Sequence, residues 1–484
     1  MENKNDKIRL RFAPSPTGFL HIGNLRTAFF GYLIAKSQGG KFILRIEDTD
    51  EKREVEGAVE SLLSILDWIG IKLDEGPGNL GGNYGPYIQS ERISIYKKHI
   101  DNLLAEDKAY PCFCSEERLT KMREEQTLNK RPPGYDKHCR SLNKEAVAAK
   151  IAAGEKFVIR QKMPLDGEVR VHDELRGDIV FKASELDDHV LIKSNGVPTY
   201  QFASVVDDHL MEISHVTRGD EWLGSFPKNI LLYQAFGWQP PLFIHLPLLL
   251  NKTGGKLSKR QGDVFVEEYK SKGYLKEAII NFCALLGWHP KDDKEILSLA
   301  ELEENFNISG LGSSPAVFDI EKLDYFNAYY LRQKDLGELV TILKPYLEDA
   351  GLDVNDKRLE NFVSLTKDRL KKLNDAPEVI SFFFKLPEYE ESLLAWKNMD
   401  VAEAKKNLQE VLSKLESFSE SNWQKEKLEA DLLAWIKLEK EGKNGNYLWP
   451  LRVSLSGLKN SPSPFEIAWA LGKNETLSRI KKVL

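Results

Sequence analysis

The chain has 484 residues, 42% of them hydrophobic and 29% charged, which is too long for one ordinary core and typical of a folded protein with several domains. No apolar run reaches the roughly 18 residues a membrane helix needs, and residues 1–7 lack the apolar stretch of a signal peptide, so a cytoplasmic protein with no membrane partner is expected. The net charge of −6 argues against a bulk polyanion binder without excluding a basic face, and four cysteines argue against a disulfide framework.

Residues 8–12 read as a short buried strand, stopped by Pro14-Ser15-Pro16-Thr17-Gly18. A helix starts near His21; Leu25, Ala28, Phe29, Tyr32 and Leu33 keep a period near 3.6, and Gly39-Gly40 ends it. Residues 41–46 read as the next strand. Strand, turn, helix and strand make a βαβ unit of the doubly wound, Rossmann kind, where ligands sit beyond the carboxyl ends of the strands. Residues 111–190 change character, with three cysteines, a charged helical piece and short segments such as 156–161, and read as an insertion. Signals of the first fold resume at Leu191. Beyond about residue 330 the patterns are amphipathic helices, for example 340–347, 401–415 and 428–438, and Ser461-Pro462-Ser463-Pro464 marks a late turn. The expected class is α/β, a Rossmann-type parallel sheet with an inserted α+β domain, followed by an all-α C-terminal region.

Two nucleotide motifs fail on context. Gly76-Pro77-Gly78-Asn79-Leu80-Gly81 has spaced glycines but runs into Gly82, Gly85 and Pro86, so it reads as a loop rather than a dinucleotide turn. Gly254-Gly255-Lys256 lacks the upstream glycine and the following Ser or Thr of a P-loop; Leu250 and Leu257 stand there. Two other stretches carry chemistry. The proline turn before His21-Ile22-Gly23-Asn24 delivers the chain to a helix start, where unpaired amides and the dipole favour phosphate, Gly23 permits close approach, and His21 can donate to a phosphate oxygen. Lys256-Leu257-Ser258-Lys259-Arg260 follows flexible Lys252-Thr253-Gly254-Gly255 and offers cations for a triphosphate. Taken singly, a capping turn and a solvated basic loop are the competing readings.

Together the two stretches resemble the paired signatures of the class I aminoacyl-tRNA synthetases. Asn24, Leu257 and Arg260 depart from the consensus His, Met and Ser. Arg11-Phe12-Ala13-Pro14, Arg45-Ile46-Glu47-Asp48, Gly85-Pro86-Tyr87-Ile88-Gln89-Ser90-Glu91-Arg92, Val205-Val206-Asp207-Asp208-His209 and Arg218-Gly219-Asp220-Glu221-Trp222 are similar to the glutamyl and glutaminyl subclass. The helical C-terminal part is similar to the bacterial glutamyl enzymes; the other branches carry β-barrels there. The resemblance implies a catalytic Rossmann domain split over 1–110 and 191–250. It also implies an acceptor-stem-binding insertion at 111–190, a stem-contact region with the second signature at 251–330, and an anticodon-binding region at 331–484.

It further implies ATP-dependent ligation of L-glutamate to tRNA-Glu through a glutamyl-adenylate, with Mg²⁺ beside ATP, by a monomer without an editing domain. His21, Lys256 and Lys259 would act on the phosphates, with Gly18, Gly23, Asn24, Glu221, Ser258 and residues 248–250 around ATP. Arg11, Ala13, Ser15, Glu47, Tyr200, Ser204 and Arg218 would hold glutamate, with the arginines on the carboxylate and Glu47 on the ammonium. A guanidinium suits a carboxylate because it binds through two parallel hydrogen bonds; glutamine would leave it unpaired. The competing reading of Arg218 is an ion pair with Asp220 or Glu221, and Ser204 replaces an Asn frequent in relatives. Cys112, Cys114 and Cys139 resemble a zinc site of some bacterial relatives, whose usual fourth ligand, a His, is here Ser141; His138 and Tyr135 are the substitutes within reach, and buried free thiols the competing reading. Three further alternatives stand: an enzyme that also charges tRNA-Gln, a truncated paralogue acting on a modified base, and a non-catalytic RNA-binding protein.

Overall fold

A computed structural model of the chain describes residues 8–50, 53–257 and 264–484. The chain forms two compact units: one holds the chain up to Tyr269 together with Ile279–Ile320, the other Lys270–Ala278 with Glu321–Leu484.

The first unit begins with β1 (Arg9–Phe12), buried along its whole length. The Ile22–Ser37 helix follows, capped by His21, with Gly39 in the left-handed conformation just past its end. Its apolar period marks one face, yet Ile22, Phe30, Ile34 and Ala35 on the others are buried too. The helix is covered on both sides. Phe30 packs on Phe306 with ring centroids 5.4 Å apart, and a Cβ at Gly31 would come within 2.9 Å of Thr217 Oγ1 on the sheet. The hydrophobic effect therefore acts around the whole helix, which makes it the spine of the unit.

β2 (Lys41–Leu44) returns parallel to β1. Of the two further residues read in the sequence as part of this strand, Arg45 still donates its amide to Phe12 O, while Ile46 bridges to Ile88, and Glu47 follows toward the turn after β1. The insertion contributes β3 (Ala109–Cys112), β4 (Val158–Gln161), the hairpin of β5 (Glu168–Asp173) and β6 (Gly177–Lys182), and β7 (Val190–Ile192); β3, β4 and β7 form an antiparallel sheet. The Tyr200–Leu210 helix leads to β8 (His215–Gly219), and the Phe226–Ala235 helix to β9 (Leu242–Leu246). The parallel sheet has the order β2-β1-β8-β9. Strand order reverses at the β1–β8 boundary, and a crevice opens there beyond the carboxyl ends. β10 (Leu249–Leu250) pairs with β11 (Ala316–Val317).

The second unit is helical. Amphipathic patterns read in the sequence fall within the Leu336–Asp349, Val401–Glu416 and Lys425–Glu439 helices. Ser463 of the late turn caps the Pro464–Leu471 helix in a capping box with Glu466. Buried Arg479 donates to the carbonyls of Phe382, Phe383 and Leu455. No helix of the described residues is long and apolar enough to cross a membrane.

Candidate active site

At the reversal point the structure collects a buried ionic network from distant stretches. Arg11 Nε donates to Asp208 Oδ1 at 2.9 Å, and Arg45 reaches the same oxygen at 2.8 Å and Glu47 Oε1 at 2.9 Å. Arg92 Nε donates to Asp207 Oδ1 at 2.7 Å, while Gln89 and Tyr96 donate to Oδ2. Three arginines face three carboxylates, all of them buried, so the charges balance and each is hydrogen-bonded. Burial alone would raise the Asp208 carboxyl, but Arg11 and Arg45 hold it below the usual carboxylate range. Consecutive acids inside the apolar Tyr200–Leu210 helix are the sequence signal for this network; a charge pair there must face partners.

Two side chains here each keep one buried polar atom unbonded. Arg218, on β8, is 6% exposed, and among the described residues no carboxylate pairs with it; its Nη2 is buried and unbonded. The ion pair with Asp220 or Glu221 is not formed: Asp220 pairs with Arg176 at 2.6 Å, and Glu221 lies exposed on the following turn. Burial lowers the Arg218 pKa, with Arg11 adding repulsion. Glu47 Oε2 is likewise buried with no donor among the described residues. Tyr200 lies within the field of Glu47, Arg11 and Arg218 together and packs its ring on Trp222 at 4.6 Å. A buried unpaired cation and a buried unpaired carboxylate oxygen around one tyrosine suit a zwitterion that carries an extra negative charge. Ala13 is half-buried beside them, where Pro14 O accepts the Glu47 amide, whereas Ser15 is exposed. Ser204 is buried, but its hydroxyl donates to Gln201 O of its own helix.

His21 Nδ1 accepts the Gly23 amide at 3.0 Å, which puts the proton of the neutral ring on Nε2, the tautomer that donates outward. The amides at this helix start are not unpaired, as the sequence reading had them. Ile22 N donates to Val264 O, and Asn24 and Leu25 both donate to His21 O. What the helix start itself brings to a phosphate is its dipole. Gly18 and Asn24 line a recess with Pro14, Pro16 and Phe19. The segment read as flexible before Lys256 is a braced hairpin: Asn251 Oδ1 accepts from Thr253 and Gly255 amides, and Lys256, exposed, bridges to Leu250. Beyond the loop, Phe265 bridges to His21. The chain just past the second signature thus lies against the first; Ser258, Lys259 and Arg260 lie outside the described residues.

Comparison with known proteins agrees with this geometry. The family model for the catalytic domain of class I tRNA synthetases (E and Q) matches residues 7–325, and that for an anticodon-binding domain matches residues 338–484. A glutamate–tRNA ligase of Clostridium botulinum is 48% identical over 480 residues, 98% of either chain. The chain belongs to the class I glutamyl-tRNA synthetases. The Clostridium tetani ligase is 47% identical over 479 residues, 98% of this synthetase and 97% of that chain. The crystal structure of a glutamate tRNA ligase from Elizabethkingia meningosepticum, in complex with its amino acid, superimposes with a TM-score of 0.91 at 38% identity, covering 99% of both chains. The anticodon-binding match removes the truncated-paralogue alternative.

In the synthetase's insertion, the sulfurs of Cys112, Cys114 and Cys139 lie within 4.8 Å of one another. The Tyr135 hydroxyl is 3.2 Å from Cys112 Sγ and 3.5 Å from Cys114 Sγ, and accepts the Cys139 amide. Of the two substitutes for the missing His, Tyr135 is inside the cluster, while His138 and Ser141 are exposed. Three thiols this close together are consistent with a zinc ion, and the Tyr135 oxygen is the fourth polar atom of the cluster. Sequence reasoning missed the contacts of Asp207, Asp208, Asp173 and His245 in this synthetase; His245 emerges only from the register of β8 on β9, and Asp173 only from the contact of the β5 end with His245.

Proposed function

We infer that this synthetase uses ATP to ligate L-glutamate to tRNA-Glu through a glutamyl-adenylate. The observation that carries the reading is Arg218, a buried guanidinium without a carboxylate, which acts on the same buried tyrosine, Tyr200, as Glu47 with its unbonded oxygen. Arg218, with Arg11, takes the side-chain carboxylate, and Glu47 the ammonium; Ala13, Ser15, Tyr200 and Ser204 shape the walls. Glutamine would leave Arg218 buried and unpaired, which rejects it without an editing domain.

The α-carboxylate attacks the α-phosphorus of ATP and pyrophosphate leaves; the terminal ribose hydroxyl of tRNA then attacks the acyl carbon and AMP leaves. Alignment and charge stabilisation do the work. His21 Nε2–H donates to the α-phosphate, and Lys256 and Lys259 act on the departing phosphates, while Gly18, Gly23, Asn24, Glu221 and Ser258 bind the nucleotide. Mg²⁺ bound with ATP neutralises phosphate charge. Cys112, Cys114, Cys139 and Tyr135 would hold a zinc ion that fixes the insertion's fold. The protein acts in the cytoplasm as a monomer, with the insertion on the acceptor end and residues 331–484 on the anticodon.

Glutamate-dependent ATP–pyrophosphate exchange, with and without tRNA-Glu, tests the reading. Exchange that appears only with tRNA is expected. The absence of exchange in both conditions from folded protein would favour a non-catalytic RNA-binding role.

A further inference from the structure

Arg218 and His245 are register partners across the parallel pair β8–β9. Arg218 Nε donates to His245 Nε2 at 3.0 Å, and His245 Nδ1 lies 2.7 Å from Asp173 Oδ2. Asp173 is the last residue of β5, so this chain of contacts runs from the inserted hairpin to the crevice. The Asp173 carboxylate is filled by donors: Oδ1 accepts the Leu175 and Arg176 amides, and Oδ2 also accepts the His245 amide at 3.0 Å. Asp173 and His245 are 0% exposed.

One proton arrangement satisfies all three groups. The arginine Nε–H always donates, so Nε2 must accept; the carboxylate accepts, so Nδ1 must carry the hydrogen. His245 is therefore neutral and of fixed tautomer, and its ring is held by Phe226, with centroids 4.8 Å apart. Burial also holds its pKa below the ordinary imidazole value, against the pull of Asp173. The consequence falls on Arg218. With Nε engaged, the guanidinium plane is set, and the unbonded Nη2 edge is the part left for a ligand.

We propose that Asp173 and His245 are positioning residues that aim Arg218 at the glutamate side chain, so that the inserted hairpin is part of the amino-acid site. The proposal rests on the reading of Arg218 given above. Two further ties hold the hairpin there: Arg176 to Asp220 at 2.6 Å, and the Glu174 amide to Phe243 O at 2.9 Å. A brace serving only the fold would affect stability and every substrate alike; an aiming device affects glutamate.

The test is steady-state ATP–pyrophosphate exchange on the full chain with tRNA present. Arg218→Ala is the control: a glutamate KM unchanged in that variant would sink the reading of Arg218 itself. With that control raised, His245→Phe, which keeps the ring but no nitrogen, is expected to raise the glutamate KM roughly tenfold, with kcat and the ATP KM nearly unchanged. His245→Gln can accept from Arg218 and donate to Asp173, and should restore most of the loss. Asp173→Asn turns the ring's donor toward Arg218 and should raise the glutamate KM similarly; it decides the matter should His245→Phe not fold. A folded variant with wild-type glutamate KM, or equal losses in kcat and ATP KM without rescue by His245→Gln, would overturn the proposal.

Discussion

Glu47 shows how one buried side chain makes a pH profile. Burial pushes its carboxyl up to about 7, against the lowering effects of Arg45 and Arg11. Only the ionised form holds an ammonium. As pH falls through 7 the group takes up a proton, so kcat/KM for glutamate should fall about tenfold per pH unit on the acid side, as for a single titrating group. Glu47→Gln should remove this limb and lower kcat/KM by roughly a hundredfold; an acid limb that persists in the variant would assign the titration elsewhere. The effect on stability has its own sign. The folded pKa is raised, so Glu47's contribution is complete below about 4.5 and is lost as pH rises toward 7. At this scale the sequence was legible where a residue sits in a recognisable motif, as Arg218 and Glu47 do. It was not legible for Asp173 and His245, 72 positions apart, because periodicity reports only neighbours along the chain.

At the scale of elements, the Tyr200–Leu210 helix buries Phe202, Ala203, Val205 and Val206 in the core and is tied by charge to Arg11 of β1 and to Arg45. Asp208→Asn would leave Arg11 and Arg45 sharing a neutral acceptor inside the protein. The loss of a buried partner costs about 3–5 kcal/mol, which denaturant unfolding should register as a lower midpoint. In the insertion, the purified protein should contain about one zinc per chain by elemental analysis. Chelation should lower the melting temperature, and Tyr135→Phe should speed metal loss; less than about a tenth of an equivalent would leave four buried donors as a metal-free cluster. Helix starts were legible from caps and periods. The bracing of residues 251–257 was not, because glycines read as freedom until the Asn251 side chain is seen to close the turn.

For the whole molecule, a net charge of −6 sets the protein against its polyanionic substrate, so binding must come from local basic groups. The KM for tRNA should rise steeply with salt as counterion release weakens. The KM for glutamate, measured at saturating tRNA, should change little, because Arg218 and Glu47 are shielded from the ionic atmosphere by burial. Parallel salt dependence of both would place the glutamate charges at the surface. The division into a mixed first unit and a helical second one was legible from the change of pattern beyond about residue 330. Its boundary was not, because Lys270–Ala278 belongs with the second unit although the chain then returns to the first over Ile279–Ile320.

The balanced network beside the crevice has a consequence for reprogramming. Every carboxylate in it serves an arginine, so changing any member strands a charge and demands a second, compensating substitution. Arg218 stands outside that constraint: its protein contact is a neutral imidazole, and replacing it abandons no anion. A library that recodes the amino-acid preference should therefore vary position 218 first and hold Arg11, Arg45, Asp207 and Asp208 fixed. Variants with a neutral, hydrogen-bonding side chain at 218 should stay folded and shift their preference from glutamate toward uncharged homologues of similar length.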